Sequence, residues 1–366
     1  MIKKMILVGV LLMALALPGS VLAQADSGIR VQDSSVLVNF PASISFQITA
    51  RSGVSINDIR LHYQVDRMAV AQVTSEIYLE FTPGTQVRVT WDWDMRKTGG
   101  MPPGSQVKYW WTVTDASGSR IETQPELLNF EDERYQWHQL TEGKITLYWY
   151  QGDDDFAGEL MAATQETLAR VAAYAGATPE KPIKLYIYGN SEDLRGSMIF
   201  PQEWTGGVAF TQHSTVAIGI APGNLEWGKR AIAHELTHLV IHQIIFSAYG
   251  NLPTWLDEGL AMNGEGKLED FFVASLNQAI VNDALLSVRS IASPFSAYAE
   301  ESALAYAESY SIVKFLVDNY GKEKMFTLLK TYQEGSSYDN AFIEVYDFDM
   351  DGLNDLWQTY LKNLAT

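Results

Sequence analysis

The sequence predicts an α+β protein with a β-sandwich in its N-terminal third and a helix-rich C-terminal half. Residues 27–123 contain short alternating apolar runs separated by turn residues, which is typical of strands. After residue 226 almost every apolar run has helical spacing instead. Hydrophobic residues make up 47% and charged residues 19% of the 366 residues, which suits two domains with sizeable cores.

Residues 1–25 have the pattern of a cleaved secretory signal. Lys3 and Lys4 precede an apolar run, and small residues follow at Ala23 and Ala25. An uncleaved anchor is the alternative, but the run is shorter than the ~20 residues of a spanning helix. We therefore expect a secreted protein, extracellular or at the cell surface, with no stable membrane insertion after cleavage.

The composition excludes several classes of chemistry and partner. The chain has no cysteine, so it forms no disulfide, thiolate metal ligand or cysteine nucleophile. Its net charge is −18, and nucleic-acid binding without sequence preference requires clustered basic residues. We therefore expect no nucleic-acid partner.

Residues 26–130 are predicted to form an Ig- or fibronectin-III-like sandwich. Turn signals at residues 51–53, 83–84 and 116–118 separate its alternating runs. Residues 109–111 (YWW) would suit a carbohydrate platform, but an alternating strand normally puts one such tryptophan in the core. The sequence identifies no partner for this domain. The predicted strands are residues 36–40, 44–49, 59–65, 77–81, 87–93 and 107–113.

Residues 131–366 are predicted to form a second domain, which begins with a polar stretch at 131–134 and mixes strands with helices. Three aspartates at 153–155 suit the N-terminus of a helix over residues 155–175. The predicted strands are residues 145–150, 183–188, 207–211 and 215–220, and later helices are predicted to end near Gly250, Gly264, Gly321 and Gly335.

The segment His234-Glu235-Leu236-Thr237-His238 has the pattern HExxH within a helical run. Histidines four residues apart project from one helix face, so both rings can bind one tetrahedral metal ion. Zinc lowers the pKa of a bound water toward neutrality, and Glu235 can take its proton for attack on a carbonyl. The alternative is that these are satisfied core residues, but so apolar a helix rarely buries two histidines and a glutamate unpaired.

A third ligand is expected downstream. A straight helix puts His242 a full turn beyond His238, so we predict a structural role for it. The first helix should stop at Gly250, and a second should begin at Pro253 and cross the first. Asp257 and Glu258 are then the candidates, and spacing alone does not choose between them.

The HExxH motif followed by residues 253–261 (PTWLDEGLA) resembles the gluzincin metallopeptidases, and more narrowly their peptidase-MA-like branch. The resemblance implies a thermolysin-like zincin domain, one Zn²⁺ and a peptide or protein substrate. The glutamate of the W-L-x-E-G block is the third ligand in that family, which implies that His234, His238 and Glu258 bind the metal. The carboxylate that orients a ligand histidine is less obvious, with Asp257 or Glu265 as candidates.

Two further segments are similar to that family. Residues 204–210 (WTGGVAF) match its substrate-binding edge strand, which implies that Gly206, Gly207, Val208 and Ala209 bind the substrate, and paired glycines let a ligand backbone approach. Aminopeptidases carry a glutamate in this strand. None lies between Gly206 and Gln212, so cleavage within a chain is favoured.

Residues 306–316 resemble the helix that holds a catalytic tyrosine, and Tyr306 is the matching position. A phenol there would stabilise the developing oxyanion. Tyr310, one turn further on, stays an alternative.

Residues 347–352 have the acidic spacing of a calcium loop, but position twelve is Gln358. We predict instead a turn in which Asp351 or Asn354 caps a last helix over residues 356–364.

The resulting hypothesis is a secreted zinc metallopeptidase in which Glu235 is the general base and Tyr306 assists. The alternatives are a zinc hydrolase of a non-peptide amide or ester, and a non-catalytic surface binding protein whose peptidase domain is retired.

Overall fold

The computed structural model describes residues 28–202, 205–296 and 299–364, so the predicted signal at residues 1–25 lies outside the described residues. Two sheets lie within residues 30–219, and helices dominate the rest of the described chain. The predicted α+β architecture, with a β-rich N-terminal region and a helical C-terminal half, is confirmed. No helix among the described residues combines the length and apolarity needed to cross a membrane.

The first sheet is organised around one long central strand, β2. The first half of β2 pairs with β1 and β4, and its second half pairs with β3 and β5. The strands are β1 (Arg30–Asn39), β2 (Ser43–Val65), β3 (Ser75–Tyr78), β4 (Gly84–Asp94), β5 (Ser105–Asp115), β6 (Arg120–Glu122) and β7 (Glu126–Phe130).

The turn predicted at residues 51–53 is wrong. The strands predicted at residues 44–49 and 59–65 are parts of β2, which continues through this segment. The register shifts between Arg51 and Ile56, and such an irregularity bends a strand toward new partners without reversing it. The aromatic run of β5 lies mainly inside, because Trp111 and Tyr109 are buried. These two rings are therefore core residues of the sheet and do not form an open platform.

The second sheet has the order β11-β12-β10-β9-β8, with β11 at one edge. β10 runs parallel to β9 and β12, whereas β11 runs antiparallel to β12. The four predicted strands are present, but β8 was not predicted because its residues are mostly exposed and show no apolar alternation. The strands are β8 (His138–Glu142), β9 (Ile145–Trp149), β10 (Ile183–Tyr188), β11 (Gly207–Phe210) and β12 (Thr215–Gly219).

Helices cover the second sheet and complete the C-terminal half. The side chain of Asp153 caps α1 by accepting a hydrogen bond from the N–H of Phe156 at 2.9 Å, as the aspartate run suggests. The α-helices of the described chain are α1 (Asp154–Ala175), α2 (Ser191–Arg195), α3 (Leu225–Ile244), α4 (Thr254–Glu265), α5 (Asp270–Val281), α6 (Ala299–Gln333), α7 (Tyr338–Tyr346) and α8 (Met350–Leu364).

Two predicted helix boundaries need correction. α3 ends at Ile244 and does not reach Gly250, because Ser247 Oγ accepts hydrogen bonds from the N–H groups of Tyr249 and Gly250 and forms a turn. Pro253 is extended, so it precedes α4 and is not its first helical residue. The helix end predicted near Gly321 is confirmed as a kink within α6, where φ is 84° and a second helical segment follows.

The last helix begins earlier than predicted. α8 starts at Met350, and its cap is Asp349, whose Oδ1 accepts a hydrogen bond from the N–H of Gly352 at 2.9 Å. Asp351 instead pairs with Arg289 at 2.7 Å. The predicted caps Asp351 and Asn354 are therefore wrong, and the acidic spacing is explained by a helix start and an ion pair.

Two separate apolar cores are joined by a buried polar contact. One core fills the first sheet, and the other lies between the second sheet and helices α1, α3, α4 and α6. Between them, the hydroxyl of Tyr186 donates to Glu131 and that of Tyr188 donates to Asp132, each at 3.0 Å. Asp132 is fully buried and pairs with Arg134 at 2.6 Å. The stretch at residues 131–134, which looks like a polar boundary in the sequence, thus holds the two sheets together.

One acidic side chain lies inside the helical half without a cationic partner. Glu308 on α6 is fully buried; its Oε1 accepts a hydrogen bond from the N–H of Leu286, and its Oε2 has no partner among the described residues. Burial disfavours the charged carboxylate and raises the pKa of Glu308 to about 8, although the Leu286 hydrogen bond opposes this. The folded protein therefore holds a proton there that the unfolded chain releases.

This proton makes stability depend on pH. The contribution of Glu308 is complete below its ordinary pKa of 4.5 and is lost as the pH rises toward 8, with a slope of up to about 1.4 kcal/mol per pH unit. Glu308→Gln should remove this slope, so the variant should gain stability over the parent between pH 5 and 8. Urea unfolding across this range measures it, with the exposed Glu344→Gln on α7 as control. If the free energy of unfolding changes equally with pH in the parent and in Glu308→Gln, the proton is not held on Glu308.

Candidate functional site

Two crossing helices and a third behind them bring the predicted metal ligands together. α3 supplies His234 and His238, and α4 supplies Glu258. α4 approaches α6 so closely that a Cβ at Gly259 would collide with the backbone oxygen of Ser309. The glycine of the W-L-D-E-G segment is therefore a packing requirement, which fixes the depth at which Glu258 faces α3.

Three electron-rich atoms converge at one point. The Nε2 atoms of His234 and His238 are 3.2 Å apart, and Glu258 Oε2 lies 3.4 Å from the first and 3.7 Å from the second. Tetrahedral zinc with bonds of about 2.0–2.1 Å places its ligand atoms roughly 3.3–3.4 Å from one another. The three side chains therefore fit one zinc ion, and Glu258 rather than Asp257 points to this centre.

A carboxylate beside Nδ1 of each histidine, on the ring edge that faces away from the converging atoms, fixes the tautomer of the ring. Nδ1 of His234 lies 2.9 Å from Glu265 Oε1, and Nδ1 of His238 lies 3.0 Å from Asp257 Oδ1. A carboxylate only accepts hydrogen bonds, so Nδ1 carries the proton and Nε2 presents a lone pair. Glu258 Oε2 is buried and has no hydrogen-bond partner among the described residues. Two lone pairs and a carboxylate oxygen facing one another require a cation between them.

Without a metal, protons serve as that cation. Burial alone would lower the pKa of His234, but the nearby carboxylates of Glu258 and Glu265 outweigh it and raise the pKa to about 9. Burial would raise the pKa of Glu258, whereas the two histidines lower it to about 2. The carboxylates thus favour positive charge at this point, and a metal ion would bind there by displacing the protons.

Each of the two candidate ligand histidines has its own carboxylate partner. Glu265 bridges His234 and Arg230, whose Nη2 lies 2.6 Å from Glu265 Oε2. Asp257 bridges His238 and His242, whose Nε2 lies 3.0 Å from Asp257 Oδ2. The sequence leaves Asp257 and Glu265 as alternatives for this role, and the structure uses both. His238, His242 and Asp257 also form a second group with metal-binding potential, but hydrogen bonds to Asp257 already occupy the facing nitrogens.

The edge strand β11 forms one wall of the cleft over this centre. Gly207, Val208 and Ala209 line a cavity of about 390 Å³ together with Glu235 and the three candidate ligands. An adjoining cavity of about 480 Å³ includes Gly206. Trp204, at the start of the matching segment, lies outside the described residues.

The paired glycines make room for side chains of α3. A Cβ at Gly207 would lie 3.2 Å from Cγ of Glu235, and one at Gly206 would lie 3.2 Å from the Trp227 ring. Their small size therefore lets β11 lie against α3. The approach of a ligand backbone at these glycines stays a prediction.

Tyr306 faces the same cleft, and Tyr310 does not line it. Burial, followed by the nearby carboxylates of Glu258 and Glu235, raises the pKa of Tyr306, so its phenol stays protonated and able to donate. Phe295 packs edge-on against the Tyr306 ring at 5.1 Å. Phe295, Phe272 and Trp227 could not be predicted from the sequence, because aromatic residues outside a motif carry no signal for a site.

Comparisons with known proteins give one family match. The model described as the peptidase MA superfamily matches residues 162–363. No curated protein matches the chain.

Several solved structures are similar. An M1 zinc metallopeptidase from Deinococcus radiodurans matches at 13% identity over 90% of this chain and 94% of its own, with a TM-score of 0.37. A two-domain M1 zinc metallopeptidase bound to L-arginine matches at 13% identity over 90% of this chain and 94% of its own, with a TM-score of 0.40. OgpA from Akkermansia muciniphila, in complex with an O-glycopeptide, matches at 12% identity with a TM-score of 0.22. The match covers 28% of this chain and spans 28% of the OgpA chain.

The orienting carboxylates should be measurable through metal affinity. Glu265→Gln weakens the acceptor that holds His234, and we expect it to lower Zn²⁺ affinity by roughly 10- to 100-fold with the fold unchanged. Competition with a chromogenic chelator measures the affinity. Glu269→Gln is the matched control, because Glu269 contacts Arg230 at 3.5 Å but is not bonded to either ligand histidine. Equal affinities for the two variants would exclude Glu265 as an orienting group.

Proposed function

The chain belongs to the peptidase MA superfamily, and from this premise we propose that it is a zinc-dependent metallopeptidase that hydrolyses peptide bonds within a chain. One observation carries the proposal. The Nε2 atoms of His234 and His238 and the Oε2 of Glu258 lie 3.2–3.7 Å apart, beside Glu235 and beneath an open strand edge. These three residues would hold one Zn²⁺, and the cleft beside them would admit water and substrate.

The roles of the chain's own groups follow from their places in the cleft. The ion, when bound, acts as a Lewis acid toward water and toward the substrate carbonyl. Glu235 follows a ligand in sequence and lines the same cavity, so it accepts the proton of the attacking water and returns it to the leaving amine. Tyr306, protonated and facing the centre, donates a hydrogen bond to the developing oxyanion.

Substrate binding is assigned to the free edge of β11. Its outer side has no partner strand among the described residues, so an extended peptide can add to it by main-chain hydrogen bonds. Gly206, Gly207, Val208 and Ala209 are the proposed contacts. No acidic residue lies between Gly206 and Gln212 to bind a free amino group, which supports internal cleavage rather than removal of terminal residues.

The fold type of each domain and the cellular location of the protein are also part of this proposal. The catalytic half, residues 131–366, is proposed to be a thermolysin-like zincin domain, and residues 26–130 an Ig- or fibronectin-III-like sandwich. The separate apolar cores on either side of residues 131–134 support this division. The Lys-flanked apolar run within residues 1–25 supports export by a signal peptide to the cell exterior.

Replacement of the proposed base separates catalysis from metal binding. Glu235→Gln should lower the rate of peptide cleavage by roughly 10²- to 10⁴-fold while zinc content stays at one ion, because Glu235 is not a ligand. Mass spectrometry of a digested peptide library measures cleavage, and a chelator gives the metal-free baseline. Glu258→Ala should lose both cleavage and zinc. Glu226→Gln, exposed on the same helix, is the matched control.

The position of the cuts tests internal cleavage directly. Chelator-sensitive cuts away from both peptide ends are expected. If the zinc-loaded parent protein cuts no peptide, the proposed peptidase activity is wrong. If Glu235→Gln cleaves peptides at the parent rate, the proposed role of Glu235 as general base is wrong.

The two tyrosines of α6 provide a second test. Tyr306→Phe removes the donor and should lower kcat by roughly 10²-fold or more, with KM and zinc content close to those of the parent. Tyr310→Phe should leave kcat unchanged, because Tyr310 does not line the cleft. Steady-state kinetics on one cleaved peptide gives both values. Full activity in Tyr306→Phe would exclude the phenol from catalysis.

A further inference from the structure

A second cavity lies where the first sheet meets the segment that follows β11. Its volume is about 360 Å³, and we name it the junction cavity. Tyr63 and Trp93 contribute aromatic rings with centroids 4.5 Å apart. Its other lining residues include apolar Val65, Ala69, Val73 and Met101, and polar Asp66, Arg67, Gln72 and His213.

Both halves of the protein build the junction cavity. Residues 66–74, the loop between β2 and β3, line one side, and the N–H of Met68 in this loop donates to the backbone oxygen of Gln212 at 2.7 Å. His213 lines the other side, with Nδ1 3.3 Å from Ser105 Oγ. The cavity therefore depends on the packing of the first sheet against the catalytic half.

The cavity lies at the tip of a hairpin whose first strand lines the catalytic cleft. β11 passes Glu235 at Gly207 and ends at Phe210, and the 3₁₀ turn Thr211–His213 joins it to β12, where Thr215 pairs with Phe210. Thr211 still lines the cleft over the metal ligands, whereas His213 lines the junction cavity. The strand spans roughly 10 Å from Gly207 to Phe210, and the turn adds at most about 6 Å before the chain reverses, a distance that an extended peptide covers in four or five residues.

The direction of the substrate follows from strand pairing. Antiparallel pairs outnumber parallel ones about two- to threefold. A peptide that adds antiparallel to β11 runs from His213 toward Gly207, so residues N-terminal to the scissile bond lie on the side of the junction cavity. Such a peptide would bring one of its side chains to the cavity without leaving an extended conformation.

The lining selects a neutral aromatic side chain. Two aromatic rings and four apolar side chains provide the contact area, and aromatic pairs add a geometric preference beyond burial. Asp66 and Arg67 both line the cavity and carry opposite charges, so together they add no net charge to its lining. Burial, followed by the charge of Arg67, lowers the pKa of His213 to about 4, so the imidazole is neutral at pH 7. The lining therefore carries no net charge that would favour a charged side chain, and the net charge of −18 of the whole chain further disfavours an acidic one.

We propose that the junction cavity binds an aromatic side chain of the substrate, four or five residues N-terminal to the scissile bond. This proposal rests on the proposed peptidase function. It makes the first sheet part of substrate recognition and gives the protein a preference for long substrates.

Peptides that share one cleaved core sequence test the proposal. N-terminal extensions carry either Phe or Ala, with the Phe placed in turn at positions two to seven before the scissile bond. In the parent we expect Phe at position four or five to raise kcat/KM by roughly three- to tenfold over Ala, through KM. No preference for Phe at these positions, or an equal gain from C-terminal extensions, would overturn the proposal.

A variant that fills the junction cavity tests whether the preference for Phe arises there. Ala69→Phe should abolish the increase in kcat/KM that the Phe of the peptide causes, and it should leave cleavage of the unextended core peptide unchanged. Val70→Phe is the matched control, because Val70 is 67% exposed in the same loop and does not line the cavity. Val73→Trp is a second filling variant if Ala69→Phe unfolds. If either filling variant is folded and still cleaves the Phe peptide with a higher kcat/KM than the Ala peptide, the junction cavity is not the binding site for the Phe side chain.

Binding to the inactive protein separates this proposal from the peptidase itself. Titration calorimetry of the extended Phe and Ala peptides into zinc-loaded Glu235→Gln gives Kd without turnover. A Kd for the Phe peptide lower by roughly three- to tenfold, and lost on adding Ala69→Phe, supports the cavity even if no peptide is cleaved. Equal Kd values for the two peptides overturn it, whatever the activity of the parent.

Discussion

The site depends on three electron-rich atoms held within 3.7 Å of one another. Nε2 of His234, Nε2 of His238 and Oε2 of Glu258 all face one point, and none of them has a proton donor there once Nδ1 of each ring is protonated. This arrangement is unfavourable without a positive charge. A metal ion would remove the conflict, and the same ion would supply the proposed chemistry of the cleft.

Much of the surrounding structure maintains this convergence. Asp257 and Glu265 hold the outer edges of the two rings, and Arg230 in turn holds Glu265 at 2.6 Å. Gly259 lets α4 approach α6, so Glu258 is set at the required depth. On the opposite wall, Gly207 lets the edge strand lie against α3. These are packing and hydrogen-bond constraints on groups that do not themselves react.

The sequence predicts the parts of the site that follow from local periodicity. His234, Glu235 and His238 could be placed on one helix face from spacing alone. The choice of Glu258 over Asp257 required the resemblance to a family, because it depends on how two helices cross. The two orienting carboxylates, the continuous β2 and the polar strand β8 depend on tertiary contacts or lack an apolar pattern. Residues 131–134 look like a linker because they are polar, yet Asp132 is buried by a pair with Arg134 that no local pattern reveals.

The position of the metal tests the account most directly. An anomalous difference map, recorded at the zinc absorption edge from crystals of the zinc-loaded chain, would locate it. We expect a single peak about 2.0–2.1 Å from Nε2 of His234, Nε2 of His238 and Oε2 of Glu258. A peak between His242 and Asp257, or no peak at the three converging atoms in fully loaded protein, would contradict the central claim.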